Sequence, residues 1–210
     1  MSTTTDAIRN VAVAGHGTTG KTTLVEHLLF AGGAISKPET VESGKTTSDY
    51  FPDEIENTFS IHTTLTHLTW DDHKVNLLDT PGAPDFVGEV VAAFRAAESA
   101  VQIETIKLWR RLDDRNMPRM IFVTKMDEDR ADFNQTLSDL SDKFEKTFVP
   151  IVMPMGSGDS YQGVVDLLHM KAYLTPEEGK TEKAVDVPEE FKEAAEQARA
   201  TLMEAAAEGD

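Results

Sequence analysis

Three short motifs along the chain combine residue types that can hold phosphate, a hard metal ion and a purine base. The first, GHGTTGKT, has the pattern G-x(4)-G-K-[ST] and follows a short apolar run, RNVAVA. Small residues let consecutive backbone N–H groups turn inward around an anion, and a following helix adds its positive N-terminal end. We predict a phosphate loop made of Gly15, His16, Gly17, Thr18, Thr19, Gly20, Lys21, Thr22 and Thr23.

Two side chains of this loop and two residues of the second motif, DTPG, predict a triphosphate with its metal ion. Lys21 supplies a positive charge for the β- and γ-phosphates, and Thr22 supplies a hydroxyl oxygen for Mg²⁺. Asp79 ends an apolar strand, where ligands of open α/β sheets bind, and its carboxylate can hold Mg²⁺ through a water. The bare backbone N–H of Gly82 can approach a γ-phosphate.

The third motif, TKMD, distinguishes one purine from the other. The carboxylate of Asp127 can accept hydrogen bonds from both N1–H and the N2 amino group of guanine. Adenine offers an acceptor at N1 and nothing at C2, so it would leave that carboxylate unpaired. Lys125 can lay its aliphatic stem over the base or ribose, and Thr124 opens the motif. The three motifs in this order predict a site for GTP or GDP with Mg²⁺.

The elements that must position these motifs alternate between strands and helices. This alternation predicts an α/β fold of the P-loop NTPase type, a mostly parallel sheet with helices on both faces. We expect a long exposed loop over 36–58, a strand beginning at Phe59, a helix over 102–113 and a last core strand over 150–155. Residues 1–155 would form the GTPase core and 156–210 a partial α+β inserted subdomain. Trp70 and Trp109 are expected to be core or packing residues.

Composition narrows the class of protein further. The net charge of −17 predicts no non-specific binding of nucleic acid through this segment, because phosphate backbones repel it. The absence of cysteine rules out disulfides and thiolate metal sites and fits a reducing, cytoplasmic location. The chain has neither an apolar span long enough for a membrane helix nor a secretory signal at its start.

The motifs and their flanks resemble the GTPase domain of bacterial elongation factor G, and most closely its elongation-factor-G-like paralogues. The resemblance rests on strings spread over nearly the whole length: GHGTTGKTTLVEHLL, SGKTTSDYFPDE, DTPGAPDFVGEV, PRMIFVTKMD and GVVDLLHMKAY. It implies a truncated GTP-hydrolysing switch domain of a translation factor, with the ribosome as partner. It also implies that Ser60 falls on the family's switch threonine, a third Mg²⁺ ligand.

The chain departs from that family at four places. Ala83 stands where the family has the histidine that orients the attacking water, which implies slow intrinsic hydrolysis. Thr18 replaces an aspartate in the phosphate loop, and Thr124 replaces an asparagine. Between Ala97 and Glu104 the chain is about a dozen residues short, so either Ser99–Ile103 forms a minimal substitute strand or a stretch is missing.

Two alternative functions are compatible with the sequence. The chain could be a GTP- or GDP-binding interaction fragment that no longer cycles. It could also be a compact small-GTPase-like protein, with Gly156–Gly158 as the last guanine-contacting loop and 163–168 as its closing helix. The oligomeric state is not predicted.

Overall fold

The computed structural model describes residues 4–103, 106–175 and 183–208, except the side chains of 101–108 and 111. The chain divides into two compact units, Met1–Thr124 and Lys125–Asp210. The predicted domain boundary after residue 155 stays a prediction. The sequence also predicts a charged, irregular stretch over 175–186, of which residues 176–182 lie outside the described residues. No helix among those described is both long and apolar enough to cross a membrane.

The first unit is built on a five-stranded sheet in the order β2-β3-β1-β4-β5. β1 pairs in parallel with β3 and β4, β4 pairs in parallel with β5, and only β2 is antiparallel to its neighbour β3. The strands are β1 (Ile8–Gly15), β2 (Thr64–Trp70), β3 (His73–Asp79), β4 (Ser99–Ile103) and β5 (Arg119–Ile121), and the helices are α1 (Lys21–Ala31), α2 (Pro52–Asn57), α3 (Val87–Ala96) and α4 (Ile106–Asp113).

Helices cover both faces of this sheet. Alternate residues of β1 point to opposite faces, so the strand contributes to the core on each side. Ala12 and Ala14 pack with α3 and α4 on one face, around Phe94 and Leu112. On the other face Val13 packs with α1 and with residues of β2 and β3. The predicted fold class is therefore confirmed for this unit.

The segment between Ala97 and Glu104, in which the sequence is short, contains the strand β4 (Ser99–Ile103). β4 lies between β1 and β5 and pairs with β1 from Val11 opposite Ser99 to Gly15 opposite Ile103. The helix predicted from residue 102 was placed too early, since α4 begins at Ile106. A minimal strand of this kind keeps the ladder of hydrogen bonds on both of its edges.

Two predictions about the segment before β3 were wrong. The strand begins at Thr64 rather than Phe59, and its buried residues are Thr64, Thr66 and Leu68, so Leu65 faces solvent. The loop expected to be exposed over 36–58 contains α2 and several buried polar side chains: Thr46, Ser48, Asp49 and Glu54. Periodicity could not show this burial, because the buried groups are polar and their partners lie in irregular backbone. Trp109 is buried as expected, but Trp70 is exposed beside the β2–β3 turn.

The second unit contains an antiparallel sheet in the order β6-β7-β8-β9. Its strands are β6 (Val152–Met155), β7 (Gly163–Asp166), β8 (Lys171–Leu174) and β9 (Val185–Asp186), and its helices are α5 (Phe133–Phe144) and α6 (Glu189–Glu208). β6 was expected in the parallel sheet, but it pairs antiparallel to β7. Met155, Val165 and Ala172 pack against Ala195 of α6.

Candidate functional site

The phosphate loop lies between β1 and α1, as the sequence predicts. Gly20 caps α1 with φ 85 and ψ 24, a left-handed conformation that glycine adopts without strain. Lys21 is buried and its Nζ donates to the carbonyl of His16, 2.9 Å away, across the loop. The Thr124 hydroxyl donates to the carbonyl of Thr19 at 3.1 Å. The ammonium group of Lys21 is therefore buried and hydrogen-bonded to the backbone of its own loop.

Three predicted metal ligands, which come from distant parts of the chain, meet beside this loop. Thr22 Oγ1 donates to Asp79 Oδ2 at 2.9 Å and lies 3.2 Å from Ser60 Oγ. The other carboxylate oxygen of Asp79, Oδ1, is buried and has no partner in hydrogen-bond geometry among the described residues, although the Ser48 hydroxyl is near enough to lower the pKa of this carboxyl group. Such a group needs a partner, and hydroxyl and carboxylate oxygens are the donors that Mg²⁺ prefers. The residues present therefore fit a magnesium ion.

Burial perturbs the charged groups of this cluster. It raises the pKa of Asp79 to about 6, against the opposing effect of the Thr22 hydroxyl. It also raises the pKa of Asp49, where the neighbouring Ser60 hydroxyl acts in the opposite direction. The pKa of Lys21 is lowered by burial, while the carboxylates of Asp79 and Asp49 raise it. A nearby positive charge favours the ionised form of a carboxyl group, so a bound cation would offset the effect of burial on the pKa values of Asp79 and Asp49.

Gly82 of the second motif sits directly on the phosphate loop. A Cβ atom added at Gly82 would lie 2.5 Å from the backbone nitrogen of Gly17 and from Lys21 Nζ, and 2.6 Å from the carbonyl carbon of His16. Only a residue without a side chain allows this approach. The structure therefore brings the first two predicted motifs into contact. Thr23, which was also predicted to belong to the phosphate loop, has an exposed side chain on α1.

Lys125 and Asp127, the residues predicted to contact the base, belong to the second unit, where both are exposed. Lys125 Nζ lies 3.0 Å from Glu128 Oε1. The charge of Asp127 raises the pKa of Tyr161, after the larger effect of burial. The Gly158 N–H donates to the carbonyl of Met126 at 2.8 Å, so the loop after β6 lies beside this motif.

Comparison with known proteins agrees with the geometry. A family model described as the elongation factor Tu GTP binding domain matches residues 6–208. The chain belongs to this family. Elongation factor G of Thermotoga sp. (strain RQ2) and that of Thermotoga maritima are each 36% identical to it over 215 residues, covering 98% of this chain and 31% of the relative. A crystal structure of a Thermus thermophilus protein superimposes with a TM-score of 0.87 at 36% identity, covering 97% of this chain and 32% of the other.

This chain spans about a third of the length of the elongation factor G relatives that it matches. The match to the elongation factor Tu GTP-binding family extends over both compact units. The predicted resemblance to elongation factor G is thereby confirmed. The small-GTPase alternative loses its closing helix, because Gly163–Asp166 forms β7.

Two positions at which the sequence is predicted to depart from the elongation factor G pattern lie in the first unit. Ala83 directly precedes the short 3-10 helix Pro84–Phe86, and its methyl group can neither accept nor donate a proton. Thr18 adopts a left-handed conformation with φ 62, and its side chain carries a hydroxyl group and no negative charge.

Sequence reasoning missed several carboxylates that hold the segment before β2. Glu26 accepts hydrogen bonds from the N–H groups of Glu39 and Thr47, at 3.0 and 2.6 Å. Glu54 and Asp49 are likewise buried. One signal was present: Glu26 follows Thr22 by one helical turn and so lies on the buried face of α1. No periodicity marks Glu54, because α2 is too short to show one.

Proposed function

We propose that this chain is the guanine-nucleotide-binding, GTP-hydrolysing switch domain of an elongation-factor-G-like translation factor, with slow intrinsic hydrolysis. The observation that carries the proposal is the convergence of Thr22, Ser60 and Asp79 next to the phosphate loop. Family membership supports guanine as the base.

Each residue has a distinct role in this proposal. The backbone N–H groups of the phosphate loop and Lys21 bind the phosphates, and Asp127 selects guanine. Thr22 and Ser60 would hold Mg²⁺ directly, and Asp79 would hold it through a water. The ion, when bound, would neutralise charge on the β- and γ-phosphates. Because Ser60 lies in irregular chain before β2, loss of the γ-phosphate would release this segment.

Slow hydrolysis follows from Ala83. A positioned acid or base contributes about 10²–10⁴-fold to a rate, and Ala83 offers neither. We expect a single-turnover rate on the order of 10⁻³ s⁻¹ or below without a partner, as in unstimulated GTPases. A partner-free rate of roughly 1–10 s⁻¹, typical of stimulated enzymes, would contradict the role given to Ala83.

Binding is tested separately from hydrolysis. Lys21→Ala removes the only cation of the phosphate loop and is expected to abolish binding of a fluorescent GTP analogue. His27→Ala is the matched control, because His27 is exposed further along the same helix and is not among the predicted site residues, and its affinity for the analogue should match that of the unchanged chain. Equal affinity of the Lys21→Ala variant and the unchanged chain would remove the phosphate-loop assignment.

A second candidate function is a GTP- or GDP-binding interaction fragment that no longer cycles. Ala83 and Thr18 favour it, since both remove groups that the family's pattern places at the phosphates. Single-turnover hydrolysis with and without ribosomes separates the two candidates. A rate that rises with ribosomes supports the switch, and no turnover in either condition supports the fragment.

The proposed partners follow from the family and from the charge. We expect a cytoplasmic protein that acts with the ribosome, as a factor related to elongation factor G would. The net charge of −17 argues that contact with ribosomal RNA would not be made non-specifically through this segment. Its acidic surface is better suited to a basic protein surface.

A further inference from the structure

The segment that carries Ser60 has no strand pairing to hold it. β2 begins only at Thr64, and residues 58–63 have neither helical nor strand backbone. Ser60 nevertheless lies 3.2 Å from the Thr22 hydroxyl. A hydroxyl that must reach a metal ion needs its backbone fixed, and here that restraint has to come from side chains.

One carboxylate supplies most of this restraint. Glu54 Oε1 accepts hydrogen bonds from the N–H groups of Ile61, at 2.9 Å, and His62, at 3.0 Å. These are the two amides that directly follow Ser60. Its other oxygen, Oε2, accepts from the N–H of Phe51 at 3.3 Å and so closes the start of α2. The next amide along the chain, that of Thr63, donates to Glu89 of α3 at 2.9 Å.

Burial makes this contact strong. Glu54 is 0% exposed, and no lysine or arginine among the described residues forms an ion pair with it. Its negative charge is therefore balanced by backbone N–H donors. Hydrogen bonds to an ionised acceptor are about twice as strong as neutral ones, and a buried carboxylate left without its donors would be costly. Glu54 and the amides after Ser60 hold one another in place.

We infer that Glu54 is a positioning residue that places Ser60 for Mg²⁺ in the GTP-bound state. The inference rests on the proposed function, because it assumes that Ser60 is a metal ligand. Glu54 does not itself contact the ion. It fixes the backbone from which the Ser60 hydroxyl projects, as outer-shell partners orient metal ligands elsewhere.

The test compares Mg²⁺ affinity in two nucleotide states of the full chain. Each variant is saturated with fluorescent GDP or a non-hydrolysable fluorescent GTP analogue and titrated with Mg²⁺. We expect Glu54→Ala to weaken Mg²⁺ binding with the GTP analogue by roughly 10–100-fold, the usual effect of losing an outer-shell partner. With GDP the change should be less than about threefold, because Ser60 is expected to bind the ion only when the γ-phosphate is present.

Three further variants separate positioning from mere stability. Ser60→Ala should give the same loss as Glu54→Ala, and the double variant should lose no more than either single variant. Glu54→Gln should recover most of the affinity, since its amide oxygen can still accept from Ile61 and His62. Glu56→Ala, on the exposed face of the same short helix, is the control for loss of a nearby charge and should match the unchanged chain.

Hydrogen exchange gives a readout that does not depend on the metal. In Glu54→Ala the amides of Ile61 and His62 should exchange faster, whereas Glu56→Ala should leave them protected. Additive losses in the double variant, or equal weakening with GDP and the GTP analogue, would overturn the inference, as would Glu54→Gln behaving like Glu54→Ala. If the unchanged chain shows no Mg²⁺-dependent preference for the GTP analogue, the proposed function itself fails, an outcome distinct from loss of the Glu54 effect alone.

Discussion

Replacing Gly82 by alanine places one methyl group where the DTPG motif meets the phosphate loop. The new Cβ would lie 2.5 Å from the nitrogen of Gly17 and 2.6 Å from the carbonyl carbon of His16, where ordinary contacts begin at 3.4 Å. Both of these neighbours are backbone atoms, so the loop must move by roughly 1 Å. Lys21 Nζ, at 2.5 Å, would be displaced as well.

The expected cost follows from this overlap. Forcing an extra methyl group into a packed site costs about 1–3 kcal/mol, which corresponds to roughly 5–150-fold in affinity if it opposes the nucleotide-bound loop. If the unbound fold takes up the strain instead, the melting temperature should fall by roughly 2–12 °C for a chain of this size. Gly82→Ala should therefore weaken GDP binding, lower the melting temperature, or do both.

The assay pairs a fluorescent GDP titration with thermal unfolding, and Gly88→Ala is the control. A Cβ at Gly88 would meet nothing within 4 Å, and Gly88 lies in the first turn of α3. Alanine favours a helix over glycine by up to about 1 kcal/mol, so Gly88→Ala should keep its GDP affinity and melt no lower. Unchanged GDP affinity together with an unchanged melting temperature in Gly82→Ala would refute the close approach of the two motifs.

Two more predictions concern Asp79 and Asp127. Burial raises the pKa of Asp79 from 3.8 to about 6, so between these values the folded chain holds a proton that the unfolded chain releases. In metal-free buffer the free energy of unfolding should therefore fall as pH rises through this window, by on the order of 3 kcal/mol. Urea unfolding at several pH values should show this fall, and Asp79→Asn should show a smaller one, because burial also raises the pKa of Asp49 and that contribution remains; the same fall in both proteins would contradict the assignment. Asp127→Asn should shift preference from guanosine to xanthosine diphosphate, measured by competition, because an amide presents a donor to the O2 of xanthine; an unchanged preference would mean that Asp127 does not face the base.

The sequence was sufficient to predict the mostly parallel sheet of the first unit and the place of the phosphate loop between β1 and α1. The metal ligands stay a prediction, which the closeness of Thr22 to Asp79 and Ser60 supports. Apolar periodicity predicted α1, and a short apolar run predicted the buried strand β1. Motif spacing identified Lys21 as a candidate for phosphate binding and Asp79 as a candidate for Mg²⁺ binding. Ser60 came only from the resemblance to elongation factor G. The structure then placed it within hydrogen-bonding distance of Thr22.

The polar contacts of the segment before β2 could not be predicted in the same way. Glu54 and Glu26 are charged residues that become buried because backbone N–H groups, rather than side chains, are their partners. Every residue except proline carries a backbone N–H group, so the sequence does not show which of these groups will pair with a buried carboxylate. The antiparallel pairing of β6 was missed for a related reason, since a short apolar run does not reveal which neighbour it will pair with.

The most direct measurement of the central claim is a titration of the purified chain with fluorescent GDP, GTP and ATP, each with and without Mg²⁺. We expect binding of both guanine nucleotides, little or no binding of ATP, and tighter binding of GTP when Mg²⁺ is present. Equal affinity for ATP and GTP, or GTP binding that does not respond to Mg²⁺, would contradict it.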